Sequence, residues 1–150
     1  MKNSLGMIAL VGTVFASVSF VGAHAEEAAG TKPALSTAQR RVIDAGISKL
    51  KSKEERQIAR DWGEAKQVAE FICRPAAKPV LARKLKGVDK YFLGTDQPNS
   101  LNLSNVGKLE GQGQARYGDG WRDFSFVCLM DAKSAKVTHF DVVLRSIPSI

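Results

Sequence analysis

The chain has 150 residues, a formal net charge of +7 at pH 7, two cysteines and two histidines. A chain of this length predicts a single domain with one hydrophobic core. The positive charge favours encounters with anionic surfaces such as lipid head groups or acidic polysaccharide, although charge alone identifies no ligand. So few cysteines and histidines exclude a strong zinc site, and the sequence has no phosphate-binding glycine loop, so we expect neither a metal nor a cofactor.

Residues 1–25 have the three-part pattern of a secretory signal peptide. Lys2 supplies the positive charge, residues 5–22 form an uncharged, mostly apolar run, and the motif A-H-A follows. We expect cleavage after Ala25. The alternative is a retained membrane anchor, because the apolar run is about long enough to span a bilayer. No later segment could span a membrane once the signal is removed, so we expect a periplasmic or secreted protein.

Both cysteines, Cys73 and Cys128, follow the predicted signal peptide. Exported chains with an even number of cysteines usually pair them, so the sequence predicts one disulfide. Closing a loop of this size would stabilise the fold by about 4 kcal/mol in the chain-entropy account. The alternatives are two buried free thiols or a cysteine nucleophile, and the latter lacks a partner nearby in the sequence.

Residues 26–35 contain few large apolar side chains, which predicts a flexible leader before a single domain at residues 36–150. Helices are predicted at the start of this domain. Ser36 with Gln39 matches the capping-box pattern that begins a helix, and the same pattern recurs from Ser52 to a glutamate three residues later.

The helix that begins near Ser52 carries apolar residues at alternating steps of four and three, which predicts one core-facing side. These residues are Ile58, Trp62, Ala65, Ala69 and Ile72. We expect this helix to end at Cys73, because Pro75 disfavours a helical conformation in the residue before it and has no N–H to donate. A third, short helix is predicted to begin at Pro79.

The segment that leads into and contains this third helix is basic and has no acidic residue. It carries Arg74, Lys78, Arg83, Lys84 and Lys86. A solvated surface is the ordinary explanation for such a bias. The alternative is a docking patch for anionic lipid or polysaccharide.

Alternating apolar and polar residues predict three antiparallel strands between residues 107 and 144, joined by turns at G-D-G and at D-A-K-S-A-K. Residues 90–93 are interpreted as either a brief strand or a buried loop segment, and residues 101–106 could add an edge strand. Gly111 and Gly113 lie on the inward side of the first long strand, which leaves room for the helix that carries the apolar residues or for a ligand.

Together these elements predict an α+β fold. Two to three N-terminal helices would pack on a small, three- to four-stranded antiparallel sheet. One disulfide between Cys73 and Cys128 would tie the helical layer to the middle strand. The apolar side of the second helix would then face the sheet.

A catalytic site is weakly supported by the sequence. His139 is the only histidine after the predicted signal peptide, Asp141 shares its side of a strand, and Ser125 belongs to the neighbouring strand. A histidine beside an aspartate on a strand is ordinarily an exposed ion pair, and the nucleophile motif G-x-S-x-G is absent. The residues therefore favour a protein that is not an enzyme.

The first tight turn gathers aromatic and basic residues. Tyr117, Trp121 and Arg122 lie around it, next to Arg116, and form a second candidate contact surface. Such a cluster resembles a base-stacking platform, but the sequence has no nucleic-acid-binding motif. Predicted export also argues against a specific nucleic-acid ligand.

The pattern G-x-G-x-x-R-Y…W-R-D-F-S-F-V-C, with F-I-C-R-P before it and H-F-D after it, resembles a family of small exported alphaproteobacterial proteins. The domain that defines this family is of unknown function. The resemblance covers roughly residues 35–144, a single-domain length. It implies a periplasmic or secreted location and carries over no catalytic residue.

The sequence thus favours a non-enzymatic exported protein that binds an anionic envelope component, such as lipid or polysaccharide, or an envelope protein. The contact surface would be the basic segment or the aromatic turn. The alternatives are a small hydrolase that uses His139 and a ligand carrier with a gap over Gly111 and Gly113.

Overall fold

The computed structural model describes residues 34–145. The predicted signal peptide at residues 1–25 and most of the predicted leader lie outside the described residues. Leu35, the last residue of the predicted leader, is buried in the core. Within the described part of the chain, no helix has the length and apolar character needed to cross a membrane.

Three helical segments precede the strands in the described residues. They are α1 (Thr37–Ser48), α2 (Lys53–Asp61), and a longer segment made of α3 (Glu64–Val68), a π turn (Ala69–Cys73) and α4 (Arg74–Lys84). Both predicted capping boxes are confirmed. The Ser36 hydroxyl also donates a hydrogen bond to the carbonyl of Ala132 at 2.6 Å, which ties the start of α1 to the turn after the fourth strand.

The prediction of one continuous second helix that ends at Cys73 is wrong in two places. It breaks at Trp62, which has an extended backbone with ψ of 145°, and Ile58 is 57% exposed. At the other end the helix does not stop at Cys73, because Arg74 remains helical with φ −56° and ψ −41°. We attribute this continuation to the wide π turn, which relieves the clash that the ring of Pro75 would cause in a regular α-helix.

The predicted start of the third helix is also wrong. Pro79 lies inside α4 rather than at its first turn. The helix therefore begins five residues earlier than the proline signal indicated, directly after the π turn. A proline within a helix removes one backbone hydrogen bond, so α4 relies on the packing of its buried residues for stability. These are Ala77, Val80 and Leu81.

The strands are β1 (Val88–Leu93), β2 (Leu101–Asn105), β3 (Lys108–Tyr117), β4 (Gly120–Met130) and β5 (Val137–Leu144). They form one antiparallel sheet of five strands, where the prediction was three to four. The extra strand is accommodated because β3 is long enough for β1 and β2 to pair end to end along one of its edges. β4 lies on the other side of β3, and β5 forms the far edge.

The α+β class and the disulfide are confirmed. Cys73 of the π turn is bonded to Cys128 of β4, with Cα atoms 6.1 Å apart, and both residues are fully buried. The helical segments pack on the face of the sheet that carries Phe124, Phe126 and Cys128. We call this the inner face and the opposite one the outer face.

The predicted gap over Gly111 and Gly113 is filled by the sheet itself. A Cβ at Gly111 would overlap the carbonyl of Ser100 and press on Leu101. A Cβ at Gly113 would overlap the ring of Phe124. The glycines therefore permit close approach of neighbouring strands, and they leave no room there for a helix side chain or a carried ligand.

Candidate binding face

The outer face of the sheet carries mostly polar side chains with one aromatic cluster. Residues that face each other on neighbouring antiparallel strands point to the same face, so Arg116 lies beside Trp121 and Gln114 beside Asp123 on the outer face. Further along the same two strands, Gln112 lies beside Ser125. Residues on this face are exposed or partly exposed, whereas their neighbours on the inner face are mostly buried.

Phe92 and Trp121 stack across the outer face, although β3 runs between their two strands. Their ring centroids are 5.8 Å apart and their planes are inclined by 14°. The Nζ atom of Lys90 lies 5.2 Å from the centroid of Phe92, and the guanidinium carbon of Arg116 lies 5.9 Å from that of Trp121. Trp121 remains 46% exposed. We call Lys90, Phe92, Arg116 and Trp121 the aromatic shelf.

An ion pair holds one cation of the aromatic shelf in place. Arg116 donates from Nε and Nη2 to the two carboxylate oxygens of Asp89, at 3.0 and 2.7 Å. The hydrogen bonds from Arg116 lower the pKa of Asp89 below its ordinary value, so this carboxylate stays charged at neutral pH. A two-pronged contact of this kind restricts the guanidinium orientation, which keeps Arg116 against the indole of Trp121.

A groove extends from the aromatic shelf over the outer face. It consists of three adjoining concave regions of about 340, 240 and 480 Å³ that share lining residues. The shared residues are Thr95, Asp96, Gln112, Gln114 and Arg145. Asp123 and Ser125 of β4 complete the floor of the two smaller regions. The groove is shallow and open to solvent, in contrast to the enclosed pockets that hold most small ligands.

One wall of the groove is the loop at residues 94–100. Both of its ends are hydrogen bonded to the backbone of Gln112, since the amide of Gly94 donates to the Gln112 carbonyl at 2.7 Å and the Gln112 amide donates to the Ser100 carbonyl at 2.9 Å. Inside the loop, the Ser100 hydroxyl accepts from the amide of Thr95 at 3.0 Å and donates to its carbonyl at 3.1 Å. These contacts give a surface loop a defined shape.

The polar groups of the groove are largely free to bind a ligand. Gln114 donates to the carboxylate of Asp123 at 2.9 Å. Within the described residues, no side-chain hydrogen bond or ion pair engages Asp96, and none engages the side chain of Gln112. The groove therefore presents amides and carboxylates together, with Phe92 of the aromatic shelf and Lys66 at one end and Arg145 along its side.

The aromatic turn predicted from the sequence is divided between the two faces of the sheet. Trp121 belongs to the outer face. Arg122 lies two residues from Phe124 and so points to the inner face, and Tyr117 lies two residues from Ala115, the partner of Arg122, and points the same way. The Nε atom of Arg122 donates to the carbonyl of Arg145 at 2.8 Å, so it supports the end of β5. Only Trp121 of the three predicted residues lies in the aromatic shelf.

The basic segment does not form one continuous positive surface. At 100° per residue, its side chains point to different sides of α4. Arg74 donates to the Glu70 carboxylate at 2.6 Å, and Lys84 lies 3.6 Å from that of Asp141. Burial disfavours the charge on Arg74, but the Glu70 carboxylate outweighs that effect and raises the pKa of Arg74. The remaining members, Lys78, Arg83 and Lys86, are exposed.

The candidate catalytic residues are not assembled into a triad. His139 pairs with Leu129, whereas Ser125 pairs with Val143, four residues further along β5, a separation of roughly 13 Å along the strand. Asp141 is near Lys84. Among residues 34–145, no group of three or more histidine, cysteine, aspartate or glutamate side chains is arranged to hold a metal ion.

Sequence reasoning found Trp121 and Arg116 but missed their partners Lys90 and Phe92. The sequence did contain a signal for these two residues, because alternation places Lys90 and Phe92 on the same side of a strand at residues 90–93. What the sequence lacked was the pairing of this strand with β3. The contact of the loop at residues 94–100 with the backbone of Gln112 was not predicted.

Comparison of the chain with protein-family models, curated proteins and solved structures gives no match. The resemblance to small exported alphaproteobacterial proteins therefore stays a prediction.

Proposed function

We propose that this protein is an exported, non-enzymatic binding module that attaches to a component of the cell envelope through its outer face. The stacked pair of Phe92 and Trp121 carries this proposal. A half-exposed indole is costly to leave in water, and aromatic rings of this kind are enriched at binding surfaces. The two cations beside the rings add directional donors to the same surface.

Export is supported by two independent features. The first 25 residues have the composition of a secretory signal peptide. The Cys73–Cys128 disulfide is of a kind that persists in oxidising compartments and is rare where thiols are kept reduced. The net charge of +7 would favour approach to an anionic envelope, while the aromatic shelf would make the specific contact.

A binding role is favoured over hydrolysis because of how the polar residues are distributed. A hydrolase needs a base within hydrogen-bond reach of its nucleophile. His139 and Ser125 are well separated along the sheet. The groove, in contrast, brings amides, carboxylates and aromatic rings together along one continuous surface.

The test is co-sedimentation of the purified protein with isolated envelope fragments. We expect Trp121→Ala to weaken retention about tenfold or more, because removal of an aromatic anchor typically costs at least one factor of ten in affinity. Ile58→Ala is the matched control, since Ile58 is also a large exposed apolar residue but lies on α2. Urea unfolding of both variants verifies that they remain folded.

Equal retention of both variants and the unaltered protein would exclude the aromatic shelf as the anchor. Loss of retention in both variants would indicate nonspecific hydrophobic adhesion. Retention that disappears only when salt is raised, with no effect of Trp121→Ala, would assign the attachment to overall charge.

A further inference from the structure

We infer that the ligand of the outer face is a neutral, hydroxyl-rich polysaccharide, with one sugar ring on the aromatic shelf and adjoining sugars in the groove. This inference rests on the proposed function, because it names the chemical class of the envelope component. It differs from the expectation of an anionic ligand that the overall charge suggests.

The aromatic shelf suits the flat side of a sugar ring. The C–H groups on that side carry partial positive charge, and the face of an aromatic ring is negative. Trp121 offers exposed ring surface, and its near-parallel stacking with Phe92 restrains the orientation of both rings. Lys90 and Arg116 lie where they can donate to hydroxyl and ring oxygens of the same sugar.

The groove has no excess of positive charge that would select a polyanion. Asp96 and Asp123 form no ion pair within the described residues, and they line the groove together with Arg145, so carboxylates offset the cation there. A hydroxyl both donates and accepts hydrogen bonds, whereas a carboxylate only accepts and an amide does both. The combination of Gln112, Gln114 and Asp123 is therefore complementary to a row of hydroxyls.

The shape of the groove favours a chain over a compact ligand. Its three regions adjoin one another and remain open to solvent, so a linear polymer can pass along them without closing a lid. The loop at residues 94–100 borders this path and is held at both ends by Gln112. A polymer would thus contact the aromatic shelf and the floor of the groove at the same time.

The test is titration of the purified protein with three classes of probe under equal conditions. The probes are neutral glucose and N-acetylglucosamine oligosaccharides, acidic polygalacturonate, and vesicles of phosphatidylglycerol. We expect the neutral oligosaccharides to bind, with affinity that changes little with salt because no net charge is neutralised. Trp121→Ala should weaken this binding about tenfold, and Ile58→Ala should leave it unchanged.

The double variant Asp96→Asn with Asp123→Asn distinguishes the ligand classes by the sign of its effect. For a neutral glycan we expect several-fold weaker binding, because hydrogen bonds to a charged acceptor are stronger than those to an amide. For an acidic polymer or an anionic vesicle, removal of two carboxylates would strengthen binding. Gln112→Ala should weaken neutral glycan binding without altering the charge of the groove.

The inference is overturned if neither neutral oligosaccharide binds, or if polygalacturonate or the vesicles bind more tightly and the aspartate variant strengthens them. The proposed function would survive that outcome if envelope retention still depended on Trp121. If envelope retention were also independent of Trp121, both proposals would fail together.

Discussion

The ring of Phe71 lies directly against the backbone of Gly46, so that a Cβ on this glycine would overlap the Cδ1 atom of the ring. Gly46 is in the interior of α1, where glycine costs up to about 1 kcal/mol relative to alanine. The contact explains why glycine occupies this helical position. It also allows Phe71 to pair with Trp62, with ring centroids 6.1 Å apart.

We therefore predict that Gly46→Ala destabilises the protein, although helix propensity alone predicts the opposite. Overpacking at a close contact costs roughly 1–3 kcal/mol, which exceeds the propensity gain. Urea unfolding measures the difference. Gly63→Ala is the control, because nothing lies within 4 Å of a Cβ at Gly63. A more stable Gly46→Ala protein would show that Phe71 moves aside without cost.

The disulfide is expected to make a large contribution to stability. It joins residues 55 positions apart in sequence, and the chain-entropy account gives about 4 kcal/mol for a loop of that size. The double variant Cys73→Ala with Cys128→Ala should lower the free energy of unfolding by about this amount in urea titrations. Because both sulfurs are buried, we also expect mild reductant to leave the native protein oxidised.

Two observations would contradict this prediction. One is a double variant as stable as the unaltered protein. The other is free thiols, detected by mass spectrometry, in native protein purified without reductant. The second result would also remove the structural support for export.

Acid should weaken the ion pair between Asp89 and Arg116, which keeps Arg116 against the ring of Trp121. Hydrogen bonds from Arg116 lower the pKa of Asp89 below its ordinary value of 3.8. A carboxyl with a lowered folded-state pKa stabilises the fold above the unfolded-state pKa, and this stabilisation is lost as pH falls through the folded-state pKa. We therefore expect the loss below about pH 4, with no effect between pH 5 and 8.

The measurement is unfolding free energy against pH for the unaltered protein and for Asp89→Asn. The variant should lose less stability on acidification, because it has no charge to lose at this position. Asp44→Asn is the control, since Asp44 is an exposed aspartate of α1 without a hydrogen-bond partner among residues 34–145. If the unfolding free energies of Asp89→Asn and the unaltered protein fall equally as the pH is lowered, a contribution from this ion pair is excluded.

The basic segment is expected to influence encounter rather than recognition. Arg83 and Lys86 are exposed and are not on the outer face, so we expect the double change to glutamate to leave binding on the aromatic shelf within about twofold. At low ionic strength the same change should reduce retention on phosphatidylglycerol vesicles, and physiological salt should remove most of that difference. A loss of salt-resistant vesicle binding would instead identify the segment as a docking patch.

Local signals in the sequence determined much of the architecture. The capping boxes at Ser36 and Ser52 and the hairpin of β3 and β4 depend on residues close together in the chain, so their physical causes are visible in a short window. The pairing of Cys73 with Cys128 followed because only one pairing was available. The charge balance followed from composition, whereas export stays a prediction from the signal-peptide pattern.

Tertiary structure decided the candidate site. Phe92 meets Trp121 because β1 pairs with β3 and β3 pairs with β4, and such long-range register has no signature within either strand. The continuation of the helix past Pro75 similarly depends on the π turn, which is held to the sheet by the disulfide. Local sequence specifies which elements form, whereas packing between distant elements determines which side chains meet.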